Sequence, residues 1–177
     1  MSIVPALLSL LGWLVGGEKS PYEIADVYLH MRQQVLELDG DALGELKSKP
    51  VWAVLMETGY PEAAFTLVAV VDGTASLYFS NGGGIIGAGE HDQVRRTALS
   101  LVDRGEKFWS HMKQVDAFPN VSPGNTTFYL VTPRGIFSHT AKEDDLGEGR
   151  DKLSELFHQG HALIAQMRTA DDQRRAE

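Results

Sequence analysis

The stretch FTLVAVVDGTASLYFS, residues 65–80, contains two apolar segments on either side of the dipeptide Asp72-Gly73. Asp-Gly between two runs rich in β-branched and aromatic residues is a strong signal of a tight β-hairpin. We therefore predict two adjacent antiparallel strands, at residues 65–71 and 74–80. The rest of the predicted sheet forms around this hairpin.

A continuous apolar run precedes this hairpin, and a second hairpin pattern follows it. VWAVLM (51–56) comes directly after Pro50 and is short enough to be a strand covered on both faces. TTFYLVT (126–132) and GIFSHTA (135–141) flank Pro133-Arg134 and predict the second hairpin. The prediction is a mainly antiparallel sheet of about five strands, built from two hairpin units.

Helical patterns mark the segments around these strands. Ser20-Pro21-Tyr22-Glu23 has the pattern of a capping box and predicts a helix that ends near Asp39-Gly40. Amphipathic spacing predicts a second helix from Asp92, with Asp92 as its cap, and a last helix over about 149–169. With an apolar helix at the N-terminus, the element order is α-α-β-β-β-α-β-β-α. We expect a single α+β domain at residues 18–170, with helices packed on the sheet.

The two ends of the chain have opposite character. Residues 3–15, IVPALLSLLGWLV, are apolar all round a helical wheel, which is typical of a helix buried against protein. A membrane span needs about 20 apolar residues, so this segment is too short to cross. We expect residues 1–17 to form a helix docked on the domain; a dimer contact, peripheral membrane contact and export are alternatives. Residues 171–177 are polar and are expected to fray.

Composition disfavours or excludes several classes of function. The chain of 177 residues has a formal net charge of -8 and no run of Lys or Arg longer than two. Without a basic face to neutralise phosphates, binding to nucleic acid or to an anionic membrane surface is disfavoured. The chain has no cysteine, which excludes disulfides, thiol nucleophiles and thiolate metal sites, and we expect a cytoplasmic location.

The stretch that follows the first hairpin, SNGGGIIGAGEHD (80–92), spells G-x-G-x-x-G from Gly82 to Gly87. A dinucleotide site needs this motif between a strand and a helix, followed by a parallel strand that ends in an acid. Here the preceding strand belongs to a hairpin, the next predicted strand ends in Pro and Arg, and Glu90 and Asp92 would repel a phosphate. We therefore reject a dinucleotide fold, and no Lys-Ser or Lys-Thr follows to make a P-loop.

Two interpretations of these glycines stay open. They can provide positive φ angles and close backbone contacts where a hairpin leads into a helix. Alternatively, ordering five glycines costs roughly 0.5–1 kcal/mol each relative to alanine, which indicates a selected role such as binding a small anionic ligand. The candidate binding residues are Gly82, Gly83, Gly84, Gly87, Gly89 and His91.

Other polar groups give weaker signals, and we predict no catalytic residue, metal site or cofactor. His158 and His161 lie one helical turn apart and could share a metal. On the helical wheel, however, His158 lies opposite the apolar stripe and His161 lies at its border, which is typical of solvent-facing histidines. His91 beside Asp92 could be a general base, although neighbours in a first helical turn point in different directions. The carboxylates of the turn 57–62 could do acid–base work, and a solvated turn explains them equally well.

The segment VVDGTASLYFSNGGG (70–84), followed by an amphipathic helix, resembles the hairpin-then-helix part of roadblock, longin and profilin-like regulatory domains. The resemblance covers about residues 65–112. It implies an α+β regulatory fold. Those folds place two strands before the middle helix and three after it, whereas this sequence predicts the reverse.

The absence of an assembled catalytic constellation and the apolar surface of residues 3–15 predict a non-enzymatic regulatory or protein-interaction domain. Its partner would be another protein or a second copy of the chain. One alternative is a small-molecule binder or enzyme that uses the loop 80–92. Another, suggested by the acidic charge balance, is an inhibitor of a basic or toxic partner protein.

Overall fold

A computed structural model describes residues 20–176 of the chain. These residues form a mixed α+β fold, with helices on both faces of an open antiparallel sheet. The predicted N-terminal helix, residues 1–17, lies outside the described residues. Within the described part, no helix combines the length and the apolar character needed to cross a membrane.

The elements follow one another in a simple order. Helix α1 (Asp26–Leu36) leads through a 3-10 segment (Gly40–Ser48) to strands β1 (Ala53–Gly59), β2 (Ala64–Val70), β3 (Ala75–Phe79) and β4 (Gly84–Ile85). Then come helix α2 (Asp92–Phe108), strands β5 (Lys113–Val115), β6 (Asn125–Thr132) and β7 (Gly135–Lys142), a short helix α3 (Glu143–Gly147) and helix α4 (Ser154–Ala176). The strand order across the sheet is β4-β3-β2-β1-β6-β7-β5, and neighbouring strands are antiparallel.

Both predicted hairpins are confirmed. Strands β2 and β3 pair across Asp72-Gly73 with Leu67 opposite Leu77, and β6 and β7 pair across Pro133-Arg134. The sheet has seven strands rather than about five, because it also contains the short edge strands β4 and β5. Neither of these is long enough to show a periodic apolar pattern in the sequence.

Strand β1 occupies the centre of the sheet, between β2 and β6. Every residue of β1 is buried, which explains the uninterrupted apolar run in the sequence. Because side chains alternate between the two faces of a strand, Val54 and Met56 point towards α2 and α4. Leu55 and Glu57 point to the opposite face, where α1 lies.

The start of α1 differs from its prediction. The helix begins at Asp26, with Ala25 as its N-cap and no side-chain cap, so the capping box at residues 20–23 does not open it. Tyr22 is instead buried, and its hydroxyl donates a 2.7 Å hydrogen bond to the carbonyl of Val121. A contact with a distant part of the chain therefore replaces the predicted local one.

The other two long helices also differ from prediction at their ends. α2 begins at Asp92, as predicted, but His91 is its N-cap and Asp92 lies in the first turn. α4 continues to Ala176, so the segment predicted to fray, 171–177, is helical through Ala176. Asp171 is buried there and forms ion pairs with Arg174 and Arg175, one turn further along the helix.

Two helical glycines allow α2 and α4 to lie close to the sheet. A Cβ at Gly105 would be 2.8 Å from a methyl group of Val54, and a Cβ at Gly160 would be 2.6 Å from the sulfur of Met56. Glycine in a helix interior costs about 1 kcal/mol relative to alanine. The close approach of helix and sheet offsets this cost by improving the packing of the core.

We expect Gly105→Ala to lower the free energy of unfolding by about 1 kcal/mol or more, because the added methyl group overpacks the contact with the branched side chain of Val54. The measurement is urea unfolding followed by circular dichroism. Ser100→Ala, at an exposed position of the same helix, is the control and should change stability by no more than about 0.5 kcal/mol. A Gly105→Ala variant that is more stable than the parent would contradict the close contact.

Candidate functional site

A buried ion pair joins α1 to the centre of the sheet. The Nε of Arg32 donates to Oε1 of Glu57 at 2.6 Å, and a second guanidinium nitrogen donates to Oε2 at 3.0 Å. The two side chains are only 7% and 0% exposed. The interpretation of Glu57 as part of a solvated turn at 57–62 is therefore wrong, since Glu57 lies within β1 and faces α1.

Neighbouring groups satisfy the remaining hydrogen-bonding capacity of the pair. The hydroxyl of Thr66 donates to Glu57 at 3.2 Å, and Arg32 also donates to the carbonyls of Phe118 and Pro119 at 3.0 and 3.2 Å. A buried charge is tolerated only when it is paired and hydrogen-bonded in this way. Sequence reasoning missed this cluster, because its members are far apart in the chain and only the pairing of strands brings them together.

Tyrosines complete the cluster. The hydroxyls of Tyr28 and Thr66 are hydrogen-bonded at 2.8 Å. Burial, with a further contribution from the negative charge of Glu57, raises the pKa of both Tyr22 and Tyr129 to about 12. These phenols therefore stay neutral at physiological pH and act as hydrogen-bonding groups. The arrangement stabilises the fold and offers no solvent-exposed acid or base.

The glycine-rich loop connects β3 to α2 through a very short hairpin. Gly82, with a φ of +93°, turns the chain from β3 into β4, and Gly87, with a φ of +71°, precedes a 3-10 turn. Both values lie in a region that other L-residues rarely adopt. The conformational role predicted for the glycines is therefore present at these two positions.

Two further glycines allow close backbone contacts. A Cβ at Gly84 would collide with the carbonyl oxygen of Leu77, and a Cβ at Gly89 would collide with the carbonyl oxygen of Gly73. Gly83 has neither constraint, and its N–H donates to the side chain of Asn81 at 3.0 Å. Local chain geometry thus accounts for most of the unusual glycine content of this loop.

The candidate anion-binding residues lie together in this one loop, and several of its N–H groups already have acceptors. The N–H of Gly82 donates to the carbonyl of Phe79 at the end of β3, and those of Gly83, Glu90 and His91 donate to acceptors within the loop. A phosphate cradle needs several free N–H groups directed at one point. The site at Gly82, Gly83, Gly84, Gly87, Gly89 and His91 stays a prediction.

A second polar pair links β7 to the start of α4. The Nε2 of His139 lies 3.1 Å from both carboxylate oxygens of Asp151, and Asp151 also accepts the N–H of Leu153 at 2.8 Å. The nearby hydroxyl of Ser154 contacts backbone groups of Asp151 and Asp145 rather than the imidazole. These side chains therefore do not form a catalytic triad, which requires the serine hydroxyl to face the histidine.

The two histidines of α4 have different surroundings. His158 is exposed, as expected, whereas His161 is half-buried and packs against Phe157 in a tilted arrangement, with a centroid distance of 4.4 Å. Burial lowers the pKa of His161, and its Nε2 has no hydrogen-bond partner in the described structure. Within residues 20–176, no three His, Asp or Glu side chains are grouped so that they could hold a metal ion.

A crevice of about 460 Å³ opens between the start of α2 and the C-terminal half of α4. His91 and Asp92 lie on one side of it, and Gln166 and Thr169 lie on the other. Of the candidate residues in the glycine-rich loop, His91 lines this crevice and the glycines do not. The volume is typical of small-molecule sites.

Comparison with known proteins assigns no family to the chain: no protein-family model matches it, and no curated protein or solved structure is significantly similar to it.

We expect Arg32→Met to lower the free energy of unfolding at pH 7 by about 3–5 kcal/mol, because it leaves the carboxylate of Glu57 buried without its partner. The double variant Arg32→Met/Glu57→Leu should recover most of this loss, since an apolar replacement of a buried pair is often close to neutral. Urea unfolding of the three proteins measures both effects. Failure of the double variant to recover would show that the carbonyl contacts of Arg32 dominate.

The loss in Arg32→Met should be smaller at pH 5 than at pH 7. Burial raises the pKa of Glu57 above its ordinary value of 4.5, while Arg32 and Thr66 offset part of that rise. The folded state therefore holds the proton more tightly than the unfolded state, and the contribution of Glu57 to stability falls as the pH rises above about 4.5. Removing Arg32 raises the pKa of Glu57 in the folded state further, and so increases its difference from the pKa in the unfolded state. Equal losses at both pH values would exclude the carboxylate as the cause.

Proposed function

We propose that the protein is a non-enzymatic protein-interaction domain. Two arrangements in the described part of the chain contain residue types found in active sites, and neither has the geometry of an active site. Arg32–Glu57 is closed to solvent, and His139–Asp151 joins two elements without a nucleophile directed at the histidine. Both arrangements contribute to the fold, and function is then expected to depend on the surface.

Exposed apolar side chains beside the glycine-rich loop carry this proposal. Ile86 is 59% exposed and Val27 is 49% exposed. A methyl carbon of Val27 lies 3.2 Å from the position that a Cβ on Gly82 would take, so Val27 borders the loop that also contains Ile86. Single exposed apolar side chains are common, whereas two that border the same loop favour a contact site for another protein.

The glycines favour the same interpretation. Gly82, Gly83 and Gly84 are all exposed; Gly82 lies beside Val27, and Ile86 comes two residues after Gly84. Because they have no side chains, another molecule can approach the backbone closely at this point. We refer to Val27, Ile86 and the exposed glycines 82–84 as the loop surface.

We also propose a fold relationship with roadblock and profilin-like regulatory domains. Three strands, β5 to β7, follow the middle helix α2, which is the number that the resemblance implies. Four strands precede α2 instead of two, so the relationship would require an extension of the sheet at its β3–β4 edge.

The other two functional hypotheses have weaker support. A small anionic ligand in the loop 80–92 would meet the carboxylates of Glu90 and Asp92, and several N–H groups of the loop already have acceptors. Inhibition of a basic partner protein rests on the net charge of -8. Both stay secondary proposals.

We expect two copies of the chain to associate through the loop surface, and a single charge placed on that surface to weaken the association. We expect the full chain to form a concentration-dependent dimer, and Ile86→Asp to weaken its Kd at least about tenfold, which corresponds to 1.4 kcal/mol. Sedimentation equilibrium gives both values. Ser100→Asp introduces the same charge at an exposed position of α2 and should leave the Kd unchanged. Deleting residues 1–17 tests separately whether the apolar N-terminal segment contributes.

A photo-crosslinking amino acid at position 86 tests the other form of the proposal, a heterologous partner. In the native source, an adduct should form from position 86 and not from position 100. A protein that is monomeric at all concentrations and gives the same adducts from both positions would contradict the proposed interaction domain.

A further inference from the structure

The crevice between α2 and α4 is a candidate site of a different kind from the loop surface. Its volume of about 460 Å³ can contain a small molecule, and small side chains leave this space open. The wall contributed by α4 contains two alanines, and carboxamide side chains come from both helices. The residues that define the space are Ala165, Ala170, Gln93, Gln166 and Gln173.

The three carboxamides are available for hydrogen bonding. Within residues 20–176, the side chains of Gln93, Gln166 and Gln173 make no hydrogen bond. The hydroxyl of Thr169, in contrast, donates to the carbonyl of Ala165. The oxygen of Gln166 is buried, and no donor of the described residues lies within reach of it. A buried acceptor without a donor is unfavourable, and such a group in a folded protein requires an explanation.

The charges around the crevice limit the kind of ligand. Asp92 is the only carboxylate among the described lining residues, and no Lys or Arg is among them. An anion would therefore face a negative charge without a cation to compensate it. A carboxamide presents a donor and an acceptor side by side, and it pairs best with a neutral group that has the complementary edge.

We propose that this crevice binds a small uncharged ligand whose planar edge carries an adjacent hydrogen-bond donor and acceptor, as a nucleobase does. The carboxamide of Gln166 turns towards the ligand and gains the donor that its oxygen lacks. Gln93 and Gln173 contact the outer polar groups of the ligand. The exposed ring of His91 at the rim is available for stacking on a planar base.

The test is an NMR titration of the full chain with three probes: adenosine, adenosine monophosphate and glucose. Adenosine should give saturable shifts of the side-chain amide signals of Gln166. The monophosphate should bind at least threefold more weakly, because its charge meets Asp92. Glucose has hydroxyl groups but no planar edge and should not bind. Absence of saturable shifts with adenosine, or binding of glucose in its place, would overturn the proposal.

A matched pair of variants locates the binding. Ala165→Phe fills the crevice from an exposed position and should weaken adenosine binding at least tenfold. Ala162→Phe adds the same side chain at another exposed position of α4, one that does not line the crevice, and should leave the affinity unchanged. Equal affinities in the two variants would show that adenosine binds elsewhere and would overturn the site.

Gln166→Leu adds a readout in the free protein, its Tm, to the binding measurement. Replacing this half-buried carboxamide, whose oxygen is unpaired, by an apolar side chain of similar size should leave the Tm unchanged or raise it. It should also abolish the shifts that adenosine causes in the side-chain amide signals of Gln93. A Tm lowered by several degrees would mean that the carboxamide is already satisfied in the free protein. That result would overturn the role assigned to Gln166.

Discussion

A carboxylate at the centre of an apolar sheet imposes the strongest constraint on this fold. Glu57 has no access to water, so its charge has to be compensated within the protein, and Arg32 of α1 does this with two hydrogen bonds. α1 buries few other side chains, namely Tyr28 and Leu36. The ion pair therefore fixes the position of this helix to a degree that apolar packing alone would not, and the carbonyl contacts of Arg32 also fix the segment that contains Phe118 and Pro119.

The opposite face of the sheet is organised by a different kind of interaction. There α2 and α4 approach the strands closely at Gly105 and Gly160, and the contacts are apolar. The two faces thus divide the structural tasks: a polar network specifies the geometry on one side, and dense packing provides stability on the other. The surfaces proposed for binding lie outside both, at the glycine-rich loop and in the crevice between α2 and α4.

Features formed by residues close together in the chain were predictable from the sequence, and features formed by distant residues were not. The hairpin at Asp72-Gly73 was predictable because its turn chemistry and strand patterns lie within a few residues of one another. The edge strand β5 and the buried pair Arg32–Glu57 were not, since each exists only through partners far away in the chain. The crevice shows both cases: His91 was a sequence candidate, whereas Gln166 comes near it only because α4 packs beside α2.

The literal G-x-G-x-x-G motif illustrates the limit of local information. Its flanking patterns already excluded a dinucleotide fold, and composition already excluded thiol chemistry, because both conclusions depend only on which residues are present and in what order. Tertiary structure was needed to show that Gly84 and Gly89 are required by carbonyl groups of β3 and of the β2–β3 turn. Local pattern determined the five longer strands and the two predicted hairpin turns, and composition excluded thiol chemistry. Packing of distant segments decided which charges are buried, which glycines are constrained and where a cavity forms, because each of these depends on atoms that the chain brings together only when it folds.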